Sequence, residues 1–97
     1  MITVAINGFG RIGRRVFRLL HEHPHIEVVA INDLADSKTL SHLLKYDSIH
    51  GIYKASITYS DEHIIVNGRS ITFSNHLQPK DTNWNDVDIV IEATGKF

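Results

Sequence analysis

No cysteine occurs among the 97 residues, so disulfides, thiolate zinc sites and a cysteine nucleophile are all excluded. Nor is there an apolar run near the roughly 20 residues that cross a bilayer. The amino terminus opens directly on a strand-like pattern instead of a charged-then-apolar leader, so no membrane partner is expected and the expected location is cytoplasmic. Excess charge is lacking too. A net charge of -1 without a basic tail gives no reason to invoke nucleic acid. Repeats, low-complexity tracts and interdomain linkers are also missing. The chain therefore reads as one small domain, residues 1–97, shorter than a complete dinucleotide-binding unit of six strands.

What is present is a glycine pattern in a particular setting. Val4-Ala5-Ile6-Asn7-Gly8-Phe9-Gly10-Arg11-Ile12-Gly13-Arg14 runs from an apolar strand through Gly-x-Gly-x-x-Gly into a helix. The spacing assigns Gly8 to a sharp turn, Gly10 to close approach of a pyrophosphate and Gly13 to helix-on-strand packing. Asp33 follows at the end of the next strand, about 20 residues on, where the dinucleotide fingerprint places an acidic residue. Arg11 and Arg14 lie in the first helical turn, where the macrodipole disfavours cations, and so they predict an anion there. Arg15 and Arg18 read as a solvated basic face. A kinase-type phosphate loop fits poorly, because that signature puts valine where Arg15 stands.

Along the chain, Ile2 to Ile6 predicts a parallel strand, and Ile12, Val16, Leu19 and Leu20 predict the buried stripe of a helix over about 10–21. Pro24 ends that helix. Ile26 to Ile31 predicts the second strand of a right-handed β-α-β crossover, with Asn32 and Asp33 at its carboxyl end. Asp36 or Ser37 caps a second helix carrying Leu40, Leu43 and Leu44 inward. Ala55, Ile57 and Tyr59 alternate, and Ile64-Ile65-Val66 meets Arg69 to Phe73 across Asn67-Gly68, a hairpin with a type I′ turn. Residues 79–85 read as a loop, and Val87 to Ala93 as the last strand, closing on Thr94-Gly95. The fold class expected is α/β: a Rossmann-like parallel sheet, helices on both faces, an antiparallel hairpin insertion, incomplete as a domain.

Four motifs in order carry a resemblance: Ile6 to Arg14, Ile31-Asn32-Asp33-Leu34, Leu43 to Gly51, and Glu92-Ala93-Thr94-Gly95 with Phe97. Together they resemble the amino-terminal, NAD-binding part of glyceraldehyde-3-phosphate dehydrogenase of bacterial type. The resemblance implies that Arg11 and Ile12 offer main-chain groups to the pyrophosphate of NAD and that Asp33 holds the adenosine ribose hydroxyls. It implies that Thr94, Gly95 and Phe97 wall the adenine side, with Asn32 nearby and Leu77 contributing backbone. Ala93 stands where Ser or Cys is more usual. A carboxylate at Asp33, followed by no arginine, favours NAD over NADP.

The resemblance further implies a phosphorylated aldehyde as substrate, a homotetramer and a glycolytic role for the full-length subunit. Its chemistry uses a cysteine thiolate, a histidine base and NAD as hydride acceptor. Because this chain has no cysteine, no catalytic residue is assigned to it, and alone it is expected to be inactive. Erythrose-4-phosphate dehydrogenase is similar through the same motifs, but that branch tends to carry glutamate at the position of Asp33. A non-catalytic nucleotide-binding or interaction module is the third reading. His21, His23 and His25 read as a solvated helix end complementing the macrodipole, not as a metal site. Asp86, Asp88 and Glu92 read as outward or strand-end positions.

Overall fold

A computed structural model describes residues 1–46, 52–76, 84 and 86–94. Two runs rich in β-branched residues, β1 (Ile2–Asn7) and β2 (Ile26–Asn32), pair in parallel around the helix α1 (Arg11–His21). The second helix, α2 (Ser37–Tyr46), leads into β3 (Ile57–Ser60), β4 (His63–Val66) and β5 (Arg69–Ser74), and β6 (Ile89–Glu92) follows. The six strands form one mixed sheet in the order β3-β4-β5-β2-β1-β6, the Rossmann-like α/β arrangement expected. Among the described residues, β6 pairs with β1 alone. Val4, Ile6, Val28 and Ile31 are buried with Phe17 of α1 and Leu40 and Leu44 of α2, as suits parallel strands covered by helices.

The turn between β4 and β5 is the one its residues demand. Asn67 and Gly68 have φ of 52° and 82°, the positive pair of a type I′ turn. The resulting hairpin is more than an insertion, however. β5 is antiparallel to β4 on one side and parallel to β2 on the other, so it is also the third strand of the parallel sheet. Burial along β3 fades after Ala55: Ile57 is half-buried and Tyr59 exposed.

Helix α1 corrects the expected stripe. Ile12 and Leu19 are 67% and 71% exposed, Val16 is half-buried and Leu20 packs partly buried against the core, while the fully buried positions are Gly13, Arg14 and Phe17. Gly13 lets the helix approach so closely that the 13-17 line, half a turn away from Leu19, faces the sheet. Arg18 is not solvated either. Its Nη2 donates to Leu44 O at 2.5 Å, and its guanidinium lies over the Tyr53 ring at 4.5 Å, tying α1 to the carbonyl end of α2. His21 is likewise corrected: it stacks on Phe17 at 5.1 Å, and burial, followed by the nearby Arg69 charge, pushes its pKa down, away from a cationic capping role.

Helix α2 begins as its residues predict. The Asp36 carboxylate accepts the Thr39 N–H at 2.7 Å, which makes Asp36 the cap and pulls its pKa below the ordinary carboxylate range. Leu40 and Leu44 are buried and Leu43 partly so. The last strand is shorter than expected, Ile89–Glu92. Ahead of it, Asp88 Oδ2 accepts the Thr3 N–H at 2.9 Å and Oγ1 at 3.1 Å, closing the amino end of the β1/β6 pair.

Candidate functional site

The carboxyl ends of β6, β1, β2 and β5 come together in register: Glu92 opposite Asn7, Asn7 opposite Asn32, Asn32 opposite Ser74. Open α/β sheets bind ligands outside this edge. Here a cleft of about 450 Å³ lies there, lined by Asn7, Gly8, Gly10, Asn32, Asp33, Leu34, His76, Glu92, Ala93 and Thr94.

The glycine loop is shaped by what surrounds it. Gly8 has φ of 98°, and a Cβ there would stand 2.6 Å from Thr94 N and 2.7 Å from the Ala93 carbonyl carbon. No other residue fits. A Cβ on Gly13 would run into Gly8 O, so the third glycine sets how near the helix comes to the bend. Gly10, by contrast, faces open space: beyond its chain neighbours, no atom of the described residues lies within 4 Å of a built Cβ. Between them Phe9 anchors the loop from beneath, fully buried and edge-on to Phe17 with ring centroids 5.7 Å apart.

Helix α1 starts directly from this loop. Gly10 offers no side-chain cap, and no acidic residue lies in the first turn. The amino-terminal N–H groups and the positive end of the macrodipole are thus left facing the cleft without a competing carboxylate. Arg11 and Ile12 are exposed at this point. Arg14 is not: it is 6% exposed and donates from Nη1 to Phe9 O at 3.1 Å, so its charge supports the loop from within instead of awaiting an anion.

Asp33 stands at the mouth of the bend. Its Oδ2 accepts the Phe9 N–H at 2.6 Å and its Oδ1 the Ala35 N–H at 2.9 Å, while its own N–H donates to Ser74 O at 3.0 Å. The residue is half-buried, its carboxylate fixed by two N–H groups and its main chain by β5. Residues 8 and 33, separated by two elements in the chain, therefore line one wall.

Of the residues expected from the sequence, Gly8, Gly10, Asn32, Asp33 and Thr94 line the cleft, with Arg11, Ile12 and Gly13 on the adjoining first turn. Leu77, Gly95 and Phe97 lie outside the described residues. Asn7, Leu34, His76 and Glu92 were not anticipated as lining. A signal for two of them existed: Asn7 and Glu92, like Asn32, are the polar residues that terminate apolar strands. Asn7 Nδ2 donates to Glu92 Oε2 at 2.8 Å, and this bond, then Thr94, holds the Glu92 carboxyl below its usual pKa. Among the described residues no group of three or more His, Cys, Asp or Glu is placed to hold a metal.

Comparison with known proteins matches residues 2–97 to the family model described as glyceraldehyde 3-phosphate dehydrogenase, NAD binding domain. The chain is 50% identical over 98 residues to glyceraldehyde-3-phosphate dehydrogenase of Geobacillus stearothermophilus, covering 99% of this chain and 29% of that one. To the enzyme of the same name from Thermotoga maritima it is 52% identical over 101 residues, covering 100% and 30%. The chain thus spans about three-tenths of the length of these relatives.

Proposed function

This chain belongs to the NAD-binding domain family of glyceraldehyde 3-phosphate dehydrogenase, and from that premise we propose that the cleft at the strand ends is its NAD site. The residues suit the ligand. Open space at Gly10 and an uncapped helix start with main-chain donors at Arg11 and Ile12 suit a diphosphate, and Gly8 and Gly13 fix the bend that presents them. In this reading Asp33 accepts the two ribose hydroxyls, Asn32 supports that wall, and Thr94 bounds the adenine side. Leu77, Gly95 and Phe97 are assigned to the same site by resemblance.

The single observation carrying the proposal is the hydrogen bond from Phe9 N–H to the Asp33 carboxylate, which puts the ribose acceptor beside the phosphate-binding bend. No arginine follows Asp33 to neutralise a 2′-phosphate, so NAD is preferred to NADP. Titration calorimetry with both nucleotides tests this. Saturable NAD binding with NADP at least about tenfold weaker is expected, as for an uncompensated like-charge contact; equal affinities would reject the assignment of Asp33.

For the whole subunit, the relatives' name supports oxidation of a phosphorylated aldehyde, and the resemblance of the motifs adds its phosphorylation and a cytoplasmic homotetramer. When bound, NAD accepts the hydride of that reaction. This chain's residues hold and orient the nucleotide, and with no cysteine it supplies no thiolate. No turnover is therefore expected from the 97-residue protein in an NADH absorbance assay with aldehyde, phosphate and NAD. Asp33 favours glyceraldehyde 3-phosphate over erythrose 4-phosphate as the parent substrate.

A further inference from the structure

Lining the cleft, four strands are joined by a row of side chains whose direction is set from both ends, by a carboxylate on β6 and by a main chain beyond β5. Glu92 Oε2 accepts from Asn7 Nδ2 at 2.8 Å; Asn7 Oδ1 accepts from Asn32 Nδ2 at 2.9 Å. Asn32 Oδ1 then accepts from Ser74 Oγ and from the His76 N–H, both at 2.9 Å, and Asn32 Nδ2 also donates to His76 O at 2.9 Å. A carboxylate can only accept, whereas an amide side chain gives at one end and takes at the other. With Glu92 ionised, Asn7 must turn its NH₂ toward β6, its oxygen must face Asn32, and Asn32 must turn its own oxygen toward β5.

We propose that Glu92 is a positioning residue of the nucleotide cleft, one that fixes the amide orientation of Asn7 and, through Asn7, reinforces the Asn32 orientation on which the His76 main chain is held at the opposite wall. Asn7 and Asn32 are 5% and 3% exposed, so neither turns to water for an alternative partner. The reversed row would bring the Asn32 NH₂ against the His76 N–H, donor against donor. Asn32 holds the His76 main chain in both directions, donating to its carbonyl and accepting its N–H, which makes His76 the part most sensitive to reversal. The charge at β6 thereby acts across three strand spacings, about 14 Å. The inference rests on the cleft being the NAD site, but the row itself is testable without NAD.

The decisive variant is Glu92→Gln, which keeps the shape and can present either oxygen or NH₂ to Asn7. Its side-chain amide spectra (¹H–¹⁵N) should show the Asn32 NH₂ pair and the His76 amide doubled or exchange-broadened. Glu92→Asp, still acceptor-only, should retain single signals. NAD affinity should fall roughly two- to thirtyfold in Glu92→Gln, the span expected for a residue acting through a packed network. Asp88→Asn removes a carboxylate from the same strand pair at its other end and should leave affinity unchanged while lowering the melting temperature. Unmoved Asn32 and His76 signals in Glu92→Gln, or an equal affinity loss in Asp88→Asn, would overturn the inference. If the parent chain binds no NAD, the proposed site falls, while the amide spectra still decide whether Glu92 orients the row.

Discussion

The two helices begin in opposite ways. α2 closes its own amino end: the Asp36 carboxylate takes the Thr39 N–H, and the negative charge complements the macrodipole. α1 starts from Gly10 with no side-chain cap and no acid in its first turn, although four arginines crowd the helix. The Asp33 carboxylate bonds to Phe9 one residue ahead of Gly10. A helix start that is closed by its own chain is structural; one left open at the carboxyl edge of a parallel sheet is fitted to an outside anion.

The hardest way to break this contrast is at the bend that aims α1. Gly8→Ala combines a positive φ with contacts to the Ala93-Thr94 backbone, so a loss of about 2–5 kcal/mol in denaturant unfolding is expected. Gly68→Ala, at a positive φ with open space, should cost only about 1 kcal/mol. Next, Asp33→Ala should weaken NAD binding by about 1.5–3 kcal/mol in calorimetry, the range for hydrogen bonds to a charged group, whereas Asp36→Ala should lower the melting temperature and leave NAD affinity intact. The Asp36 contribution also has a pH window. Because its folded-state pKa is depressed, the stabilisation is present above the unfolded carboxylate range and is lost as pH falls below about 4, which melting curves from pH 6 to pH 3 check. The smallest effect sharpens the contrast most: Gly10→Asp gives α1 the start that α2 has. Its extended backbone accepts a side chain, so stability should rise by a few tenths of a kcal/mol while NAD affinity drops.

The wall that holds Gly8, Gly13 and Asp33 was legible because its causes are local: each glycine answers to a backbone constraint, and the acid follows at the spacing one crossover helix imposes. The Asn67-Gly68 turn was legible for the same reason. The buried face of α1 was legible only in part, through Val16 and Leu20. Counting apolar residues favoured Ile12 and Leu19, but contact with the sheet is decided by the residue without a side chain, Gly13, and Phe17 follows it inward. Arg18 misled because charge suggests solvent, and Arg14 because charge at a helix start suggests an outside anion, while both guanidiniums donate to carbonyls. Asn7 and Glu92 stayed hidden for a further reason. Their partnership spans 85 positions and exists only once β6 lies beside β1.

One consequence follows from β5 serving two partners at once. Its register against β4 is set by a two-residue turn, and its six residues reach about 20 Å to Ser74 at the cleft. A one-residue slip of β5 in that register would carry Phe73 out of the hydrophobic interior and swing Ser74 to the opposite side of the pleat. The nucleotide end of the molecule is in that sense calibrated from a hairpin tip that never touches it.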